Sequence, residues 1–445
     1  MDKQDIGLKV PNILLPSGGV DLNKWAVVAC DQYTSQPEYW KSVEESVGDA
    51  PSTLNAIFPE VYLEDSDGDS RIERINASMR RYLDEGILED QGAGFVLLDR
   101  KTSHVSSRKG LVVALDLERY DYKVGSQSLI RATEGTIEDR LPPRVRIREN
   151  AQIELPHIMV LIDDPDRSVI EPLFEKELKT VYDFELMAGG GHLKGWRVDS
   201  EADVASVFEG LANLSKQEAF DAKYGVRGKG VLLFAMGDGN HSLATAKNIW
   251  EDLKANAEDP AQVMDHPARF ALVELMNVHD EGLAFEPIHR VVFDIDVEDL
   301  KRELARFFED EGSSVSLESL ESLEATQSRL AALGESGEQL ISFVTNSGYG
   351  IIRLANPQRN LEVGNLQAFI DAYLEGKSSI VDYIHGDDVV VELGSRPNNI
   401  GFFLPVMGKS DLFKTVVLDG ALPRKTFSMG EADEKRYYLE ARRIQ

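Results

Sequence analysis

The stretch KGVLLFAMGDGNHSLATAK, residues 229–247, narrows the fold more than any other part of the chain. Val231–Met236 is a near-continuous apolar run, the pattern of a strand covered on both faces. Beyond it Leu243, Ala246, Trp250 and Leu253 recur at helical spacing. Gly237 and Gly239 stand between, where positive φ or close backbone approach is allowed. A doubly covered strand that runs straight into a helix calls for layers, and so for a mixed α/β fold.

The rest of the chain repeats that alternation. WAVVAC (25–30) reads as a buried strand, and Ile72, Ile75, Met79 and Leu83 share a helical face. GFVLLDR and GLVVALDL read as two strands of a hairpin joined by the polar stretch 103–110, and HIMVLIDDP is a strand that stops at Pro165. Ser200 and Asp203 frame a helix start with Val204, Phe208, Leu211 and Leu214 as its buried stripe. GGGHLKGW (189–196) is a lid or a turn. The segment 292–356, with VEDLKRELARFFED and a strand pair turning at Ser347-Gly348, reads as an inserted α/β subdomain. The expected organisation is a main domain over 1–291, this subdomain over 292–356, and a return over 357–445.

Composition removes several functions. Lys and Arg total 48 against 77 Asp and Glu, a net charge of −29. Such a chain is repelled by nucleic-acid phosphates and anionic lipid, so neither nucleic acid nor membrane is expected as a partner. No apolar run reaches bilayer length. The single cysteine, Cys30, allows no internal disulfide and no CxxC pair. The expectation is a soluble cytoplasmic protein with no structural metal.

The turn itself has two readings. Asn240 suits an N-cap, with its side-chain oxygen on an orphan N–H, and His241 then sits at the surface. Alternatively, the helix N-terminus offers N–H groups and a positive dipole end to a phosphate or carboxylate. The turn is neither GxGxxG nor a P-loop. The GK pairs at 376 and 408 have Asp371 and Phe403 where a P-loop needs its first glycine. The second feature is RATEGTIEDRLPPRVRIREN, with Arg131, Arg140, Arg144, Arg146 and Arg148. Val145–Ala151 fits strand or helix; in both, Arg144 and Arg148 share a face. These guanidinium groups can clamp phosphate or carboxylate, or pair with Glu134, Glu138, Asp139 and Glu149. LPRKTF places Arg424 and Lys425 after an expected strand, and His279, Asp280, His289 and Arg290 surround an apolar turn.

RATEGTIEDRL, ELPHIMVLIDDP, FAMGDGNHSLATA, MNVHDEGLAFEPIHRVV and LPRKTF, in this order, resemble the family called domain of unknown function number 1015. Many members carry Asp-Gly-His-His-Arg where this chain has Asp238-Gly239-Asn240-His241-Ser242. That run is similar to the nucleotide-contacting turn of the ParB/sulfiredoxin-like fold, which includes a free serine kinase. The resemblance implies a ParB/sulfiredoxin-like core elaborated with further strands and helices. It implies a nucleotide- or phosphate-dependent phosphotransferase acting on a small molecule. Gly237, Gly239, Asn240 and Ser242 would hold phosphate, with Arg131, Arg140, Arg290 or Lys425 supplying the cation that Ser242 lacks. Asp238, Glu134 and His241 would be the catalytic groups, and Asp238 could instead hold Mg²⁺ beside a nucleotide. A non-enzymatic nucleotide or metabolite sensor and an acidic scaffold are the alternatives.

Overall fold

The hairpin of two apolar segments, Phe95–Lys101 and Arg108–Asp116, pairs antiparallel and lies within a ten-stranded sheet. The computed structural model describes residues 5–334 and 337–445. Residues 1–4 of the polar N-terminal stretch, and 335–336 of the expected subdomain, lie outside it. The chain divides into two units, Met1–Ala284 with Gly430–Gln445, and Phe285–Met429.

In the first unit the sheet strands are β1 (Leu8–Lys9), β2 (Phe95–Lys101), β3 (Arg108–Asp116), β4 (Tyr120–Asp121), β5 (Ile130–Arg131), β6 (Met159–Ile162), β7 (Lys179–Glu185), β8 (His192–Val198), β9 (Phe234–Asp238) and β10 (Phe270–Asn277). Their order is β7-β8-β2-β3-β10-β6-β9-β5-β4, with β1 beside β3. The sheet is mixed: β10 runs parallel to β6, and β9 is antiparallel to β6 but parallel to β5. Its helices include α1 (Gly68–Asp84), α2 (Leu141–Arg148), α3 (Glu201–Leu214) and α4 (Asn240–Asn256). One core cluster gathers Leu97, Val113, Val160, Phe234 and Leu243. A second gathers Trp25, Val96, Val112, Met79 and Tyr438. Alternate residues of β2 and β3 thus feed different cores, as period-two strands with both faces covered must.

Several expectations change. WAVVAC is not a strand: Leu22–Trp25 is a short helix and only Val28 makes a bridge, to Tyr437. GGGHLKGW is a hairpin turn followed by β8, paired to β7 through Glu185 and His192. On α3, Ser200 accepts the Asp203 N–H as expected. The fully buried positions, however, are Val207, Gly210 and Leu211. Arg144–Arg148 resolves as the helix α2, in keeping with the prolines at its start.

The second unit has a six-stranded sheet of β11 (His289–Phe293), β12 (Ser314–Leu320), β13 (Gln339–Thr345), β14 (Gly348–Ala355), β15 (Ile380–Ile384) and β16 (Ile400–Phe403). Its order is β12-β14-β13-β16-β11-β15. This unit is larger than the expected 292–356. The strand β11 begins inside the expected main domain, and its two sheet neighbours, β15 and β16, come from beyond residue 356. The expected 357–445 return is correspondingly short, beginning at Gly430. The segment before LPRKTF is a helix, Lys409–Asp419, not a strand.

The short return segment is held by buried charge. Arg436, 4% exposed, bonds Glu274, Glu440 at 2.6 Å and the Pro156 carbonyl at 2.9 Å. Burial disfavours its charge, but Glu440 and Glu274 outweigh that and hold its pKa above the ordinary value. Arg442 and Arg148 do the same for Glu154: burial opposes ionisation, and the two guanidinium groups still depress its pKa. Breaking such a buried pair strands a charge and costs about 3–5 kcal/mol, whereas an exposed pair contributes about 0–1 kcal/mol. Arg436→Ala is therefore expected to lower unfolding stability by about 3–5 kcal/mol. Arg74→Ala, which breaks the exposed Arg74–Asp67 pair at 3.4 Å, is expected to leave stability nearly unchanged. Denaturant unfolding of the two variants checks the ranking.

Candidate functional site

The strand β9 carries a register shift between Met236 and Asp238 against β6, which leaves Gly237 as the extra residue. A bulge of this kind re-aims the chain. Gly239 then takes φ 82° and caps α4 with no side-chain hydrogen bond. A Cβ at Gly239 would lie 3.1 Å from the Ile158 Cα, so glycine is required both by conformation and by space. The expected cap, Asn240, is instead the first helical residue. Its Oδ1 is buried without a partner, as is Nε2 of His241. The first turn of α4 thus has no side-chain cap, and two orphaned polar atoms sit beside it.

Asp238 faces its own constraints. One carboxylate oxygen accepts the Gly239 N–H at 2.9 Å, and the other lies 3.2 Å from Lys435 Nζ. Ser242 Oγ stands 2.7 Å from His157 Nε2, and His157 Nδ1 stands 2.8 Å from the Tyr438 hydroxyl. That hydroxyl also accepts the Cys30 N–H at 3.1 Å. Burial pushes the Cys30 thiol up, out of its ordinary range.

Ser242, His157, Tyr438 and Cys30 lie at the polar part of a cavity of about 130 Å³. Cys30, Glu60, Arg144, His157, Ser242 and Tyr438 contribute to its wall. The remainder is largely aliphatic and aromatic, with Ile57, Phe58, Ile75, Met79 and Ile147 among the lining residues. Arg144 pairs with Glu60 at 2.5 Å, and burial raises the Glu60 pKa despite that pairing. His241 has its pKa lowered, first by burial and then by Arg144 and Arg140, with Asp31 acting weakly the other way.

The expected residues separate on this geometry. Gly237, Asp238, Gly239, Asn240, His241 and Ser242 form the turn, and Arg140, exposed at the start of α2, acts electrostatically on His241. Arg131 is 2% exposed, and its guanidinium bonds the carbonyls of Ser128, Gly230 and Val231, fastening β5 to the segment leading into β9. Burial alone lowers its pKa to about 10. Glu134 is half-buried on the loop after β5, next to Thr133, whose hydroxyl donates to the Met236 carbonyl at 2.7 Å. Arg290 and Lys425 belong to the second unit. Arg290 is fully buried and bonds Gln367 and the carbonyls of Ile288 and Arg424. Lys425 is exposed in a positive-φ turn.

The arginine segment does make ion pairs, but with distant partners: Arg144 with Glu60, Arg146 with Asp69 and Arg148 with Glu154. Sequence reading missed His157, Lys435 and Tyr438. His157 carried only a weak signal, a polar residue at the entrance to a buried strand. The other two lie in the return segment, whose Arg436-Tyr437-Tyr438-Leu439 run is too apolar for a solvated tail.

Fold and site together define a mixed α/β protein with a strand–glycine turn–helix site beside a cavity. The model of a family described as a protein of unknown function (DUF1015) matches residues 14–373, and the chain belongs to that family. No curated protein matches the chain in sequence. Among solved structures, a free serine kinase mutant in complex with AMP aligns over 74% of this chain and 90% of its own, at 10% identity and a TM-score of 0.37. A conserved hypothetical protein from Pyrococcus furiosus covers the same shares at 11% identity and a TM-score of 0.33. SbnI with a C-terminal truncation, from Staphylococcus aureus, aligns over 72% of this chain and 83% of its own, at 9% identity and a TM-score of 0.33. The likeness is remote and says nothing of individual residues. Among the described residues, no helix is long and apolar enough to cross a membrane.

The depressed pKa of His241 has a definite sign in stability. The unfolded chain binds the proton more tightly, so this contribution is complete above the unfolded value of about 6.5 and is lost as pH falls below it. His241→Asn is expected to flatten the loss of thermal stability between pH 7 and 5. Melting curves of both proteins across that range test it.

Proposed function

We propose that the turn at α4 binds the phosphate of a nucleotide or other phosphorylated small molecule, and that the protein is a small-molecule phosphotransferase. The observation that carries this reading is the uncapped first turn of α4, where Asn240 Oδ1 and His241 Nε2 are buried without partners. Free N–H groups at a helix start, with the positive end of the dipole, suit a phosphate. Rotating the Asn240 amide would put its NH₂ where the orphaned oxygen now sits, adding a donor. Protonated His241 would add another, and a bound anion would favour that form. Arg140, exposed on the neighbouring helix, supplies the charge that Ser242 does not.

Mg²⁺ commonly uses one or two carboxylates together with substrate phosphates and water. Asp238 is the carboxylate at the turn, and it would have to exchange Lys435 for the ion. A bound metal would neutralise charge developing on the transferred group. Positioning and electrostatics are most of what phosphoryl transfer asks of a protein, and this turn is made of such parts. The engagement of both Asp238 oxygens favours a second reading, a sensor that binds a nucleotide without turning it over.

A thermal-shift panel of AMP, ADP, ATP and sugar phosphates, with and without Mg²⁺, tests binding. A ligand at 100 times its Kd is expected to add about 2.7 kcal/mol. Gly239→Ala, which forces a side chain into the α4 cap, is expected to abolish the shift and to cost roughly 1–2 kcal/mol without ligand. The absence of a shift with every phosphate compound would refute the site. A shift with no phosphorylated product by mass spectrometry would select the sensor.

A further inference from the structure

The line of groups behind the turn has a chemistry that phosphate binding does not use. Ser242 Oγ, His157 and Tyr438 are joined in sequence at 2.7 and 2.8 Å. A nucleophile within reach of a base, with the base oriented by a third group, is the arrangement that activates a serine. The Tyr438 oxygen accepts the Cys30 N–H, and the hydroxyl can donate a hydrogen bond to the Cys30 sulfur. In the tautomer with the proton on Nδ1, His157 donates to the remaining lone pair of Tyr438, and Nε2 accepts from the Ser242 hydroxyl. Ser242 and His157 both line the cavity, whose wall otherwise includes Ile57, Phe58, Met79 and Ile147. At about 130 Å³ the cavity is close to the roughly 150 Å³ that takes a benzene-sized group, so it admits a short apolar chain.

We infer that Ser242 is the nucleophile of an acyl-transfer site that accepts esters of short-chain aliphatic acids. Ser242 Oγ attacks the ester carbonyl carbon while its proton passes to His157 Nε2. The oxyanion meets the free N–H groups of the first turn of α4. Collapse breaks the bond from carbon to the alcohol oxygen, and the alcohol leaves with the proton from Nε2. Water, deprotonated by His157, then attacks the acyl-serine and releases the acid with Ser242 restored. His157 is catalytic because it moves the proton. Tyr438 is a positioning residue that acts through His157.

This site shares the first turn of α4, Ser242 included, with the proposed phosphate site, and the two readings are separated by what is measured. Labelling reports Ser242, whereas the thermal shift reports the turn. The full-length protein is treated with a short-chain alkyl fluorophosphonate, whose P–F bond a nucleophilic serine displaces, and the adduct is mapped by peptide mass spectrometry. Stoichiometric labelling at Ser242 is expected, absent in Ser242→Ala and slowed about 100-fold or more in His157→Gln. p-Nitrophenyl butyrate is expected to be hydrolysed at least tenfold faster than the laurate ester. Tyr438→Phe is expected to shift the pH profile of labelling while the protein still melts cooperatively. No adduct on folded wild-type protein would overturn the inference. So would an adduct elsewhere than Ser242, or one that forms at an unchanged rate in folded His157→Gln.

Discussion

Arg436 is the group on which the first unit depends. Its guanidinium joins Glu274 of the central strand β10, Glu440 of its own segment and the carbonyl of Pro156, one residue before His157. Tyr182 of β7 completes the network by donating to Glu440 at 2.5 Å. Three charges with almost no exposure could not be held without one another. Because the residues involved are far apart in sequence, the network forms only when the return segment has threaded between the sheet and the N-terminal region. There it gains backbone bonds as well: Ala29 N–H to the Arg436 carbonyl, Tyr438 N–H to Val27, and the Trp25 indole to the Leu439 carbonyl.

The site inherits its geometry from that threading. Lys435 and Tyr438 flank the buried arginine in sequence, and each reaches one side of the turn: Lys435 to Asp238, Tyr438 to His157. Neither the charge state of Asp238's surroundings nor the orientation of the His157 ring is set locally by GDGNHS. Both are set by a segment about 200 residues further along the chain. A local rearrangement of the return segment would therefore loosen the ion pair and the imidazole together.

What was legible in the sequence was what local physics decides. The apolar run of β9, the glycines of the turn and the periodicity of α4 needed no distant partner, and the Ser200 cap and the β13–β14 hairpin were plain for the same reason. The arginines were harder, because a guanidinium has no sequence signature that separates ligand binding from structural service. Arg131 and Arg290 spend theirs on backbone carbonyls, which any strand can present. Arg144, Arg146 and Arg148 found carboxylates, but on Glu60, Asp69 and Glu154 rather than on their neighbours. The second unit was underestimated because its sheet closes through β15 and β16, pairings that begin well after the hairpin that announced it.

Ser242 now takes a different meaning. Next to the family-like run Asp-Gly-His-His-Arg, it looked like a lost cation, to be replaced from elsewhere. Lys435 and Arg144 are already committed, to Asp238 and Glu60, so these pairs bring little net positive charge to the turn. What remains attractive to an anion is the helix start itself and exposed Arg140. An arginine at 242 would put a long cationic side chain beside His157, where Ser242 now helps line the cavity. The short hydroxyl leaves that apolar volume open and binds the imidazole instead. On the reading proposed above, a serine at this position leaves the cavity reachable from the turn, so a ligand held there would gain from a short apolar part.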